Sequence, residues 1–198
     1  MAAVNLENSG LEALVTPCVS GAGQGVVYAA LRQAARDFCR DTGCWREKVT
    51  EDDGVESVAD ETDYSLASLT GDYAAEVYRV LWVKLEDTQQ HPARWRLVRP
   101  ATLRFEVAPT AGQTLTAEGV LLPAVGWSSL PEDLVTAWGD AFAAGARALL
   151  HGQPGRPWSD PGAARDQWQL REGLAGKARS LVLTERKARP LRARMRVL

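Results

Sequence analysis

The spacing of apolar residues changes twice along this chain, and that double change limits the folds it can adopt. Between Val26 and Arg40, the residues Val27, Leu31, Ala34 and Phe38 recur at helical spacing, with Arg32, Arg36 and Arg40 on another flank. This predicts an amphipathic helix over 26–41, stopped by Gly43. From Trp45 to about Leu122 the period shortens to two. Leu103, Phe105 and Val107 alternate with Thr102, Arg104 and Glu106, as a strand with one wet face does. Val77–Leu85 is largely apolar on both faces, which suits a central strand. Trp95–Val98 and Thr114–Leu122 bring the number of expected strands to at least four, with Gly54, Gly71-Asp72, His91-Pro92 and Pro109–Gly112 as breakers.

Helical spacing returns after Ser129. Ser129-Leu-Pro-Glu132 reads as a capping box with Pro131 in the first turn. Leu134, Trp138, Ala141, Phe142, Gly145 and Leu149 then make one stripe over 131–150, and the small residues Ala141, Ala144, Gly145 and Ala148 would let a neighbouring helix come close. Ser159-Asp-Pro161 opens a last helix over 160–182, with Ala164, Trp168, Ala175, Ala178 and Val182 on one face. Gly173 and Gly176 weaken that helix by roughly 1 kcal/mol each, so it needs packing to persist.

Helix, antiparallel strands, helix, helix is the order of an α+β protein. The expectation is a small helical bundle, formed by the N-terminal helix and two C-terminal helices, with an inserted antiparallel β module over 45–122 and an extended C-terminal arm. Residues 1–25 read as a flexible segment holding one short helix, Leu11–Val15, ended by Pro17. Residues 26–186 are then the domain and 187–198 the arm. The expected core includes Leu31, Phe38, Leu134, Trp138, Phe142 and Trp168. At 198 residues the chain is long enough for one such domain. No stretch approaches the ~20 apolar residues that span a bilayer, and the N-terminus lacks the pattern of a signal peptide, so synthesis is expected in a cytoplasm.

Charge is segregated although the net charge is only −2. Asp41 to Asp87 is acidic, densest at Glu51-Asp52-Asp53 and at Asp60-Glu61-Thr62-Asp63, whereas Arg171 to Leu198 is basic with only Glu172 and Glu185 opposing. Such segregation suits docking to other surfaces, including copies of the same chain. In the arm, Leu191, Met195, Val197 and Leu198 interleave with Arg192, Arg194 and Arg196. A solvated end, strand addition to a partner sheet, an arm in a groove and a nucleic-acid arm all fit that alternation.

The residues that could carry chemistry are few. His91 and His151 are the only histidines, and with Cys18, Cys39 and Cys44 they show no metal-ligand spacing. No nucleophile motif is present, so neither an enzyme, a metal nor a cofactor is expected. Free thiols are the default reading of the three cysteines, though Cys39 and Cys44 lie close enough in sequence to bridge. Gly21-Ala-Gly-Gln-Gly25 opens a helix but has neither the dinucleotide nor the P-loop spacing, and reads better as a flexible lead-in. Paired acids such as Asp52/Asp53 and Asp60/Asp63 read as a solvated loop rather than a cation site. Trp95 between Arg94 and Arg96 could stack on a nucleic-acid base, although a strand with its arginines in solvent explains it better.

Several local stretches resemble one family. Leu31-Arg-Gln-Ala-Ala-Arg-Asp-Phe-Cys-Arg40 followed by Thr42-Gly-Cys-Trp-Arg-Glu47 looks like the opening of tailed-bacteriophage head-to-tail adaptor proteins. Leu103-Arg-Phe-Glu-Val-Ala-Pro109, Leu130-Pro-Glu-Asp-Leu134, the Ala/Gly-rich stretch to Leu149-Leu150, and Gln153-Pro-Gly-Arg-Pro-Trp-Ser-Asp-Pro161 continue the likeness. In outline it is similar to the tail tubular A adaptors of short-tailed phages. The resemblance implies a structural virion protein, assembled in the host cytoplasm, forming a ring (a dodecamer in the family) between portal protein and tail or nozzle protein and extending the DNA channel without sequence-specific contact. Carried onto this chain it makes Lys187, Arg189, Leu191, Arg192, Arg194, Met195, Arg196, Val197 and Leu198 a portal-binding arm. Glu51, Asp52, Asp53, Asp60, Glu61 and Asp63 become channel-facing or docking acids. The alternative is a nucleic-acid-binding protein that uses the basic arm.

Overall fold

Both changes of period coincide with changes of structure. The computed structural model describes residues 2–50, 55–71 and 73–187, and over these it is an α+β fold in which every strand pair is antiparallel. The helices are α1 (Leu11–Val15), α2 (Gln24–Thr42), α3 (Glu132–His151) and α4 (Pro161–Lys187). Between α2 and α3 come β2 (Arg46–Val49), β3 (Asp63–Ser65), β4 (Ala75–Leu85), β5 (Thr88–Gln89), β6 (Trp95–Val98), β7 (Thr102–Phe105), β8 (Leu115–Pro123) and β9 (Ser129–Pro131), while β1 (Ala3–Asn5) precedes them all.

The sheets are short and separate. One has the order β2-β8-β4-β5, a second β3-β7-β6, and β1 pairs with β9. Strand β8 is buried along nearly its whole length, which explains its run of apolar residues. Strand β4 slips register against β8 between Val77 and Arg79 and again between Val80 and Trp82, so it carries irregularities that bend a strand and raise its twist. In β7 the alternation holds for buried Leu103 and Phe105 but stops there: Val107, which continues the pattern in sequence, lies beyond the strand and is 80% exposed.

Helix α2 buries Val27, Ala30, Leu31, Ala34, Ala35 and Phe38, and α3 packs on α1, α2 and α4. A Cβ at Gly145 of α3 would stand 3.0 Å from the Ala34 Cβ of α2, so the glycine sets how near these two helices approach. Gly43 ends α2 at φ 62°, its N–H donating to the Cys39 carbonyl at 2.8 Å. A side chain there is excluded twice, because its Cβ would also stand 2.9 Å from the Arg79 Nη2.

Four expectations need correction. Residues 3–19 are built into the fold: β1 pairs with β9, Leu6 donates to the Ser128 carbonyl at 2.8 Å, and Leu6, Leu11, Val15 and Val19 are buried. Four buried aliphatics supply the apolar area that a flexible segment would lack. The capping box at Ser129 does not form; Ser129 is spent pairing with Asn5 in the sheet, and Pro131 takes the N-cap position without a side-chain bond. Helix α4 continues through Lys187, so that residue is helical and not part of an extended arm. Of the expected core, Leu31, Phe38, Leu134 and Phe142 are buried, but Trp138 is half-buried and Trp168 is 39% exposed. Among the described residues no helix is long and apolar enough to cross a membrane.

Candidate interaction surface

Helix α4 follows from its sequence in an unexpected way. Its buried positions Ala164, Arg171, Ala175 and Ala178 repeat at spacings of seven, four and three, and one of them is an arginine. Small residues bring the helix close, and the guanidinium needs partners because an unpaired buried charge is costly. Arg171 is 3% exposed, with Nη2 2.5 Å from Asp41 Oδ2 at the end of α2 and Nη1 on Glu172. The guanidinium carbon lies 5.7 Å from the centre of the Phe38 ring and 5.3 Å from that of Trp168. Trp168 therefore covers the arginine with one side of its ring and meets solvent with the rest. Phe38 is ringed further by Trp138 at 5.5 Å and Phe142 at 5.6 Å between centroids.

The apolar arc of α4 is wider than the buried seam that packs it among the described residues. Leu170 (49% exposed) and Leu181 (56%) lie about three turns apart on one flank of the buried seam. Trp168 and Leu183 (54%) lie on the other flank. At the C-terminal end, Asp41, Thr42, Arg46, Arg79, Arg179, Val182 and Leu183 line a cavity of about 240 Å3 where α4 meets the end of α2 and the four-stranded sheet. Three arginines share that cavity; Arg46 donates from Nε to the Gly43 carbonyl at 3.1 Å and sits 3.7 Å from the buried Glu118. An exposed apolar flank beside a basic cavity is the composition of a contact surface.

The acids singled out from sequence are not equivalent. Glu51, Asp52 and Asp53 lie outside the described residues. Asp60 and Glu61 are exposed, Asp60 at φ 62°, and among the described residues their side chains make no hydrogen bond or ion pair. Asp63 is already taken: Arg104 Nε and Nη2 donate to its two oxygens at 2.6 and 2.5 Å across the β3–β7 pair. The Arg104 guanidinium holds its carboxyl below the usual aspartate range. Of the arm, Lys187 is the last residue of α4, and Arg189, Leu191, Arg192, Arg194, Met195, Arg196, Val197 and Leu198 lie outside the described residues.

Other candidates have local duties. Trp95 is half-buried against the core, so its ring is not freely presented to a base, while Arg94 and Arg96 beside it are exposed. His151 is buried with Nδ1 2.9 Å from the Trp158 carbonyl, which fixes the proton on that nitrogen, and the His91 Nδ1 accepts from the Ala93 N–H at 3.2 Å. The Gly21–Gly25 lead-in faces a carboxylate: Tyr28 and Gln24 in the first turns of α2 donate to Glu12 at 2.6 and 3.1 Å, and hold it below the usual range. A helix end with an acid beside it is a poor phosphate cradle. Among the described residues no three His, Cys, Asp or Glu side chains are grouped to hold a metal.

Two features escaped the sequence reading. Arg171 occupies a seam position between Ala164 and Ala175, and its place in that spacing was the available signal. Glu118 sits in the apolar run of β8 directly opposite Trp82, whose indole N–H donates to it at 2.6 Å. No protein-family model and no curated protein matches the chain.

Proposed function

We propose that this chain is a structural adaptor of a tailed-phage virion, a non-enzymatic ring subunit placed between a portal protein and a tail or nozzle protein. The observation that carries this reading is α4. Its inner face is committed to α2 and α3 through Arg171 and three alanines, while Trp168, Leu170, Leu181 and Leu183 stay exposed along a helix about 40 Å long. A helix with an apolar surplus on both flanks is built to meet further chains, and a closed ring needs two different complementary faces per subunit. In this arrangement α2, α3 and α4 form a small bundle at the ring body, and the β module between α2 and α3 faces the next tail component. Residues beyond Lys187 reach the portal, and the exposed Asp60 and Glu61 face the channel, where negative charge would let DNA pass without holding it.

The test is co-sedimentation with a portal protein encoded beside this chain, using the full-length protein, a 1–186 truncation and a Leu170→Ser/Leu181→Ser variant. The full-length chain should bind stoichiometrically, the truncation should bind less, and the double variant should stay folded but fail to assemble into rings. Binding by none of the three forms, together with tight salt-dependent binding of the isolated chain to DNA, would overturn the adaptor reading.

A further inference from the structure

Cys39 and Cys44 flank the left-handed Gly43 that turns the chain from α2 towards β2. That reversal brings their sulfur atoms to 4.0 Å, although five residues along a continuing helix would point them apart. The two thiols have unlike surroundings. Cys39 is fully buried beside Phe38, in the apolar face of α2. Cys44 is half-buried and lines a cavity of about 190 Å3 with Trp45, Glu47, Asp133 and Trp138. A small oxidant therefore has a route to Cys44 and none to Cys39. The connection carrying Cys44 belongs to neither helix nor strand, and its N–H lies 3.3 Å from Thr42 Oγ1. Moving its sulfur inwards to the ~2.05 Å of a disulfide disturbs little else.

We propose that Cys39 and Cys44 form a hydroperoxide-reactive thiol pair, in which Cys44 attacks and Cys39 resolves. In the first step the Cys44 thiolate attacks a peroxide oxygen. The S–O bond forms, the O–O bond breaks and the departing hydroxide takes up the proton that Cys44 released on ionising, giving a sulfenic acid and one water. In the second, the Cys39 sulfur attacks the Cys44 sulfur. The S–S bond forms, the S–O bond breaks, and the departing hydroxide takes the Cys39 proton as water. Two thiols are oxidised, one peroxide is reduced and two waters form.

The electrostatics agree with this division of roles. The 4.0 Å contact with the Cys39 sulfur, with Thr42 and nearby backbone N–H groups, holds the Cys44 sulfur below the usual thiol range. The same contact, reinforced by burial, pushes Cys39 well above it. Once formed, the bond joins the last turn of α2 to the start of the β module, next to buried Trp45. Cys18 is exposed, with its sulfur 3.8 Å from Arg147 Nη1, and it is replaced in the test so that it cannot compete for the oxidant.

The experiment uses the full-length chain carrying Cys18→Ser, treated with hydrogen peroxide, alkylated and mapped by peptide mass spectrometry. A linked Cys39–Cys44 peptide is expected, with a melting midpoint raised by roughly 4–8 °C and restored by dithiothreitol. With Cys39→Ser added, Cys44 should yield a dimedone adduct and the midpoint should not rise. If that variant does not fold, Cys44→Ser decides instead, because Cys39 should then resist peroxide. The proposal is overturned by full alkylation of both thiols after peroxide, by links formed only between molecules, or by oxidation of Cys39 in the Cys44→Ser protein.

Discussion

Two arginine–aspartate pairs with the same shortest distance sit at different places in this molecule. Arg171 meets Asp41 at 2.5 Å between α4 and α2, and Arg104 meets Asp63 at 2.5 Å between β7 and β3. The Arg171 side chain is 4% exposed and lies over two aromatic rings; the Arg104 side chain is 41% exposed. Distance alone would rank them equal. The arginines separate them: Asp41 and Asp63 are similarly open, at 35% and 39% exposed, but only Arg171 has lost its hydration to the fold. The first holds two helices together and the second trims the surface of a small sheet.

That contrast is broken most forcefully by removing the ring beneath Arg171. Phe38→Ala should cost near the top of ~3–5 kcal/mol, since Phe38 is fully buried and touches Trp138, Phe142 and Arg171 together. Arg171→Ala should follow at about 3 kcal/mol in urea unfolding, with α4 loosening first. A Arg171→Met/Asp41→Asn double variant should recover much of that loss, because an apolar side chain of similar length refills the seam without a charge to solvate. If Arg171→Ala were neutral, the pair would be no more than a surface contact and the comparison would collapse. Trp138→Ala should cost less, about 2 kcal/mol, because the ring is only partly buried.

Apolar spacing made much of the architecture legible. The bounds of α2, α3, β4 and β8 fall within two residues of the positions read from period alone, because those elements bury one face continuously. The N-terminal segment was not legible. Strand β1 is three residues long, and its partner β9 lies more than a hundred residues away, so no local pattern announces the pairing. Trp168 was misplaced for a related reason: helical spacing put it on the inner face, but Arg171 holds the centre of that face and Trp168 is left covering it from the rim. Sequence could not show that Asp63 is spent on Arg104, since the two meet only through the register of β3 and β7.

The smallest effect sharpens the comparison through pH. Asp63 has its pKa lowered in the folded protein, chiefly by the hydrogen bonds from Arg104. A carboxylate of this kind contributes stability that is fully present above the unfolded aspartate pKa and is lost as pH falls through the lower, folded value. Its contribution is therefore constant from neutral pH down to the ordinary aspartate range and disappears only in stronger acid. Asp63→Asn should leave the melting midpoint at pH 7 nearly unchanged, because both side chains remain well solvated. Arg104→Ala should move the Asp63 midpoint upwards in a carboxyl NMR titration, and 1 M salt should produce part of the same shift. Salt should act less on the Arg171 pair, since the guanidinium is buried between Phe38 and Trp168 while Asp41 stays 35% exposed. Equal salt sensitivity at the two sites would mean that water reaches Arg171, and α4 would then be held by its alanine seam alone.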